Sequence, residues 1–122
     1  MKGRRYRLTD RAEDDVATIL AHTHREFGDR QYWAYAALIE KAAQMVGQRP
    51  LRINSKSREE LGAGVRSFHL EIAARRRGAA SHVLYYIPTR LEDGQSGAII
   101  LRLLWDGMDP WALVSEGLAE LE

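Results

Sequence analysis

The sequence predicts an α+β fold: an N-terminal strand, a helical hairpin, a three-stranded antiparallel meander and a short helical tail. Three patterns carry that expectation. The run Ala98-Ile-Ile-Leu-Arg-Leu-Leu-Trp105 is short, almost wholly apolar and bounded by Gly97 and Gly107, which marks a strand buried on both faces at the centre of a sheet. Two stretches flanking Gly28 repeat apolar residues at helical spacing, and two segments upstream of the buried run read as strands separated by turns.

Taken in order, Arg4-Tyr-Arg-Leu8 alternates polar and apolar residues as an edge strand does. Thr9 and Asp10 supply an N-cap, with Glu13 at capping-box spacing from Asp10. Ala12, Val16, Ile19, Leu20, Thr23 and Phe27 then line one face of a helix, opposite Glu13, Asp14, Thr18, His22 and Arg25. Gly28 ends this helix and Asp29 caps a second, whose inner face is Tyr32, Tyr35, Ala36, Ile39, Ala43 and Val46. Its alanines permit close approach, so a hairpin folded over Gly28 is expected, stopped by Gly47 and Pro50.

Residues 49–64 show no sustained period and read as a connection. Val65 to Ala73 alternates as a half-buried strand, Arg75-Arg-Arg-Gly78 turns, and Ser81 to Ile87 returns as a strand ended by Pro88. A turn over Glu92 to Gly97 leads into the buried run. After Pro110, the tail over 110–122 carries Leu113, Val114, Leu118 and Leu121 at helical spacing, interrupted at Gly117. Trp33 and Trp105 are expected in the core, and Trp111, following a breaker, partly exposed.

A chain of 122 residues is expected to form one domain, 1–122. With 18 basic and 17 acidic side chains the formal charge is +1, which gives no global pull towards nucleic acid or membrane. The basic residues concentrate between Arg49 and Arg77, pointing to an acidic partner surface. There is no cysteine, hence no disulfide, thiolate metal site or thiol nucleophile. The opening residues lack the apolar run of a signal peptide, and no window reaches the length of a membrane span, so a cytoplasmic location is expected. His22 and His24 point to different helix faces, and His69 and His82 have no third ligand at a suitable spacing, so neither a metal nor a cofactor is expected. His82 is expected to pair with Glu71 across the hairpin.

Four fragments in this order, Leu8-Thr9-x-x-Ala12-Glu13-x-Asp15, Gly64-Val-Arg-Ser-Phe68, His82-Val-Leu-Tyr-Tyr86 and Leu101-Arg-Leu-Leu-x-x-x-Met-Asp109, resemble the toxins of the RelE/ParE superfamily of type II toxin-antitoxin systems. The resemblance runs from Tyr6 to about Leu113 and is closer to the ParE branch. Trp105 stands where ParE-like chains often have His, and Gly107 where many have Arg.

The resemblance implies a toxin that inhibits its target, DNA gyrase, by binding. It also implies a cognate antitoxin, acidic and partly disordered alone, that neutralises it. Residues expected to meet the target or the antitoxin are Arg66, Arg75, Arg76, Arg77, Trp111 and Leu113. An alternative is a RelE-like, ribosome-dependent endoribonuclease working without metal. Such chemistry needs a base, an acid and cations for the charged transition state, and its candidates are Lys56, Arg66, Tyr86 and Arg102, with His69 and His82. No matched acid and base pair stands out among them, so binding is the expected mode. A third alternative is a family member that binds without being toxic.

Overall fold

The computed structural model describes residues 3–122. In chain order the elements are β1 (Tyr6–Leu8), α1 (Asp10–Gln48), β2 (Lys56–Ser57), a 3-10 turn (Glu59–Leu61), β3 (Arg66–His69), α2 (Leu70–Ala74), β4 (His82–Arg90), β5 (Ser96–Trp105) and α3 (Trp111–Ala119). The strands form one sheet in the order β1-β5-β4-β3-β2. β1 runs parallel to β5, with Tyr6 opposite Ala98 and Leu8 opposite Ile100; the other neighbours are antiparallel. The apolar run of β5 therefore has a partner on each edge, and Gly97 to Leu104 is buried throughout.

Thr9 caps α1: its hydroxyl oxygen accepts from the Ala12 N–H at 3.0 Å and donates to the Leu101 carbonyl at 2.8 Å. The cap thus ties the helix start to β5. Gly28 leaves helical geometry at φ 84°, ψ −174°, a conformation open to glycine but strained for other residues. A straight helix of this length would span about 58 Å. Yet a methyl group placed on Gly47 would sit 2.1 Å from the Arg5 carbonyl oxygen, and only four residues separate Arg5 from the helix start, so the two arms fold back over Gly28 as expected. Gly47 lies inside the helix and marks a close approach to β1 rather than a stop.

The sheet buries one face against α1 and the other under α3. Phe68, Leu84, Tyr86, Ile100 and Leu103 pack with Ala12, Ile39, Ala42, Ala43 and Val46. Val65, Tyr85, Ile99, Leu101 and Leu104 pack with Leu61 and Val114. Gly117 does not interrupt α3: a methyl there would lie 2.6 Å from the Leu101 carbonyl oxygen, so glycine lets the helix settle on β5.

Several expectations need correction. β3 ends at His69, because Leu70 to Ala74 turns helical under a His69 N-cap and an Arg75 C-cap in the left-handed region; Leu70 and Ala73 are both buried, at helical spacing. β4 continues through Pro88 to Arg90. Pro88 falls beyond the last pair with β3, Arg66 and Tyr86, where no neighbour needs its missing N–H. The connection over 49–64 contains β2 and the 3-10 turn, which buries Leu61. Trp33 and Trp105 are exposed, at 68% and 54%, as is Phe27. The core along α1 stops at Leu20 on one arm and resumes at Tyr35 on the other, so the hairpin tip overhangs the sheet with Phe27 and Trp33 on it. Trp111 is exposed as expected.

Candidate functional site

Titratable groups gather where β3 ends and β4 begins, beside the turn after β5. The Nδ1 of His69 accepts the Glu71 N–H at 3.1 Å, which leaves its proton on Nε2, 2.9 Å from an Asp106 carboxylate oxygen. His69 is thus held in one tautomer with a carboxylate behind it. His82 stands opposite Trp105, and its Nδ1 lies 2.6 Å from the Tyr35 hydroxyl. It does not pair with Glu71, whose carboxylate accepts the Gly78 N–H instead.

Burial lowers the pKa of His82; Asp106 pulls it back up, while His69 and His22 push it further down. Tyr35 is raised, chiefly by burial, so at neutral pH a neutral phenol and a neutral imidazole share this hydrogen bond, its direction set by the His82 tautomer. Because the folded-state pKa lies below the ordinary 6.5, the unfolded chain binds a proton first as pH falls, and stability declines from about 6.5 downward until the folded state also titrates. Urea midpoints measured across that range should fall with pH, and His82→Gln should flatten the slope.

Trp105 lies over the turn that follows β5. A methyl on Gly107 would meet its ring at 2.3 Å, so the ring occupies the space a side chain at 107 would take. Trp105 lines a cleft of about 730 Å³ between the hairpin and the loop leading into β4, together with Phe27, Tyr35, Ala79, Ala80 and His82. It also borders a smaller cleft of about 260 Å³ that reaches Ile19 and Met108.

The residues suited to nuclease chemistry divide between the two sheet faces. Directly paired strand residues share a face, and Arg66 pairs with Tyr86 on the α1 side. The Tyr86 hydroxyl is buried and donates to the Pro50 carbonyl. Arg66 donates to the hydroxyl and carbonyl oxygens of Ser55. Lys56 pairs with Ser67 on the α3 side and is exposed.

Arg102 comes to that same side through a bulge: Tyr85 pairs with Arg102 and Tyr86 with Ile100, so Leu101 and Arg102 share one partner position. Its guanidinium donates to both Asp15 carboxylate oxygens at 2.8 and 2.7 Å, to Glu116 at 2.9 Å and to the Leu113 carbonyl at 3.1 Å. The Asp15 bonds, joined by Glu116, hold its pKa above the ordinary value. Asp15 also accepts the Leu103 N–H. Arg102 therefore fastens α1, β5 and α3 together.

Of the residues expected at a partner surface, Arg75, Arg76 and Arg77 are exposed on the loop that runs into the larger cleft. Among the described residues none of the three is in an ion pair. Trp111 is exposed at the start of α3, and Leu113 is half-buried against the sheet. Much of the remaining basic stretch is engaged internally. Arg52 donates to Asn54 and Met45 and lies over the Phe68 ring, and Arg58 pairs with Glu60 at 2.7 Å.

The profile of the family described as ParE toxin of type II toxin-antitoxin system, parDE, matches residues 6–110. The chain belongs to the ParE toxin family. No curated protein matches it. The matched span takes in all five strands, the helical hairpin and the Trp105–Gly107 turn, and ends just before α3. As a ParE toxin the chain carries Trp105 and Gly107 as one coupled feature, since the ring fills the place of a side chain at 107. Asp15, Tyr35 and Asp106 escaped notice as site residues. Asp15 lies in the Leu8-to-Asp15 fragment, but its partner is 87 residues away, and no local pattern links Tyr35 or Asp106 to the histidines. Among the described residues no group of three or more His, Cys, Asp or Glu side chains is placed to hold a metal ion, and no helix is long and apolar enough to cross a membrane.

Proposed function

We propose that this toxin acts in the cytoplasm as a single domain that inhibits DNA gyrase by binding it, and that a cognate acidic antitoxin, partly disordered alone, neutralises it. The observation that carries the binding mode is the state of the four nuclease candidates. Two lie on one sheet face and two on the other, the Tyr86 hydroxyl is spent on Pro50, and Arg102 is held by two carboxylates. A general acid and base must converge on one reacting bond, and these do not.

An antitoxin strand has a place to add. The Ala98 N–H donates to the Arg5 carbonyl and the Thr9 N–H to the Ile100 carbonyl, so alternate residues face β5 and the polar groups of Tyr6 and Leu8 face outward. Arg4 and Arg7 are exposed beside them, which suits an acidic segment and disfavours self-pairing of two basic edges.

Purified toxin added to gyrase should abolish supercoiling while leaving ribosome-bound mRNA uncut. Tyr86→Phe should retain that inhibition at a cost of about 1 kcal/mol of stability for its lost hydrogen bond. Cleaved mRNA with intact supercoiling would overturn the reading in favour of an endoribonuclease. The observation favouring that second reading is the carboxylate-backed His69 at the exposed strand end. Silence in both assays would leave a non-toxic binding protein.

A further inference from the structure

A second group of cations stands at the end of the sheet remote from Arg75 to Arg77. The strand between the two ends, β4, is nine residues long and separates them by about 30 Å. A cleft of about 860 Å³ opens there between the end of α1, the residues leading into β1 and the turn joining β4 to β5. Arg5, Arg49 and Arg90 line it, with Gln48, Gln95 and one carboxylate, Asp93. Among the described residues no apolar or aromatic side chain lines it.

Asp93 pairs with Arg5 at 2.6 Å, and that guanidinium holds its carboxyl below the usual carboxylate range, so these two charges cancel. Arg49 and Arg90 are exposed and in no ion pair among the described residues. Outside the lining, the exposed carboxylates Glu40 and Glu92 are balanced by the exposed cations Arg4 and Lys41. The Met45 carbonyl in the last turn of α1 accepts from the Arg49 N–H and the Arg52 guanidinium, which meets the partial negative charge of the helix end. The positive surplus therefore lies inside the cleft, although the whole chain carries only +1.

Two of the guanidiniums are ordered in advance. Arg5 donates to the Ser96 carbonyl at 2.6 Å and Arg90 to the Gly94 carbonyl at 2.7 Å. Guanidiniums suit phosphate oxygens, which they meet through paired parallel bonds. An all-polar lining offers the apolar anchors of a peptide nothing to pack against. Without an aromatic side chain it also lacks the stacking platform on which single strands depend. The ligand that fits is the outer surface of a duplex, where phosphates are presented and bases are covered.

We propose that this cleft binds the phosphodiester backbone of a nucleic-acid duplex without reading its sequence, with Arg49 and Arg90 on the phosphates and Arg5 holding the turn between them. The proposal stands on the cleft and not on the gyrase reading.

The test titrates the full chain, by amide NMR and fluorescence anisotropy, with a short DNA duplex, the same sequence as an RNA duplex, one DNA strand alone, and polyglutamate as a carboxylate control. A duplex should bind with a dissociation constant on the order of 10⁻⁴ M and weaken about tenfold when salt is raised about fourfold, the slope for two phosphates. The shifted amides should be those of Arg49, Arg90, Gly94 and Gln95, and scrambling the duplex sequence should change nothing. The DNA and RNA duplexes both belong to the proposal, and the tighter of them names the source of the backbone. Joint Arg49→Ala and Arg90→Ala should weaken binding at least about tenfold and flatten the salt slope. Joint Arg49→Lys and Arg90→Lys should keep the slope. Both side chains are exposed, and the amide spectrum reports whether the fold persists. Charge reversal of Arg75, Arg76 and Arg77 to Glu should leave binding within about twofold at physiological salt, because the distance exceeds the screening length of about 8 Å.

Tighter binding of the single strand would mean that bases are contacted and would overturn the proposal. Equal binding of polyglutamate would overturn it in favour of an acidic peptide. Loss of binding on reversal of Arg75 to Arg77, shifts centred elsewhere or no duplex binding would overturn it as well. Supercoiling is assayed separately: a duplex that does not bind leaves the gyrase reading standing, and a chain inert towards gyrase leaves the cleft standing.

Discussion

Asp15→Ala should destabilise the fold by about 3–5 kcal/mol, the cost of leaving a buried cation without its main partner. The Arg102 side chain is 11% exposed and that of Asp15 13%, so water cannot replace the lost carboxylate. The same carboxylate accepts the Leu103 N–H at 3.0 Å, and its removal orphans that donor as well. Glu116 remains on the other side of the guanidinium at 2.9 Å, but it is far more exposed and also lies near Arg11, so it offsets only part of the loss.

Urea denaturation of wild type and variant measures the effect directly. Joint replacement, Asp15→Leu with Arg102→Met, should cost much less than Asp15→Ala, because two apolar groups of similar size leave no buried charge behind. A single-variant cost below about 1 kcal/mol would place the pair among weak surface bridges and remove Arg102 as the fastening of α3. Since the Leu113 carbonyl and Glu116 on α3 both accept from Arg102, Asp15→Ala should also raise hydrogen exchange along α3 more than along the second arm of the hairpin.

Arg102 shows where the sequence was legible and where it was not. The strand holding it could be read because apolar residues fill both faces of β5, and no other element type suits so short an apolar run between glycines. The cation inside that run could not be explained locally, since its partners come from α1 and α3. The hairpin was legible at Gly28, where one residue must leave helical geometry. Its tip was not: Phe27 and Trp33 continue the apolar pattern, yet the sheet beneath ends before them, and periodicity does not say how far a partner surface extends. The segment from Leu70 to Ala73 failed for a different reason, because alternation and a single helical turn both place Leu70 inward and only the His69 and Arg75 caps decide between them. The parallel pairing of β1 with β5 joins residues too distant for any local pattern to reveal.

Gly47→Ala is the second substitution expected to have a large effect, and its sign is decided by two opposed terms. Alanine is the better helix former by about 1 kcal/mol, and Gly47 is helical, so in open space the change would stabilise. Here a methyl would meet the Arg5 carbonyl oxygen at 2.1 Å, its carbon at 2.6 Å and its Cβ at 2.8 Å. Backbone cannot rotate away as a side-chain end can, and Arg5 is anchored: its N–H donates to Gln44, its carbonyl accepts from Ala98, and its guanidinium is held by Asp93 and Ser96. The helix arm must therefore lift from β1, and overpacking of this kind costs about 1–3 kcal/mol or more. With the upper end of that range against the propensity gain, the net loss should be about 2 kcal/mol, read as a lowered urea midpoint. The same lift would disturb the β1 edge proposed to receive an antitoxin strand, so on that proposal antitoxin affinity should fall together with stability in this variant. Asp15→Ala, acting where α1 meets Arg102 and Leu103 beyond the paired stretch of β1, should lower stability with a smaller effect on affinity for that edge.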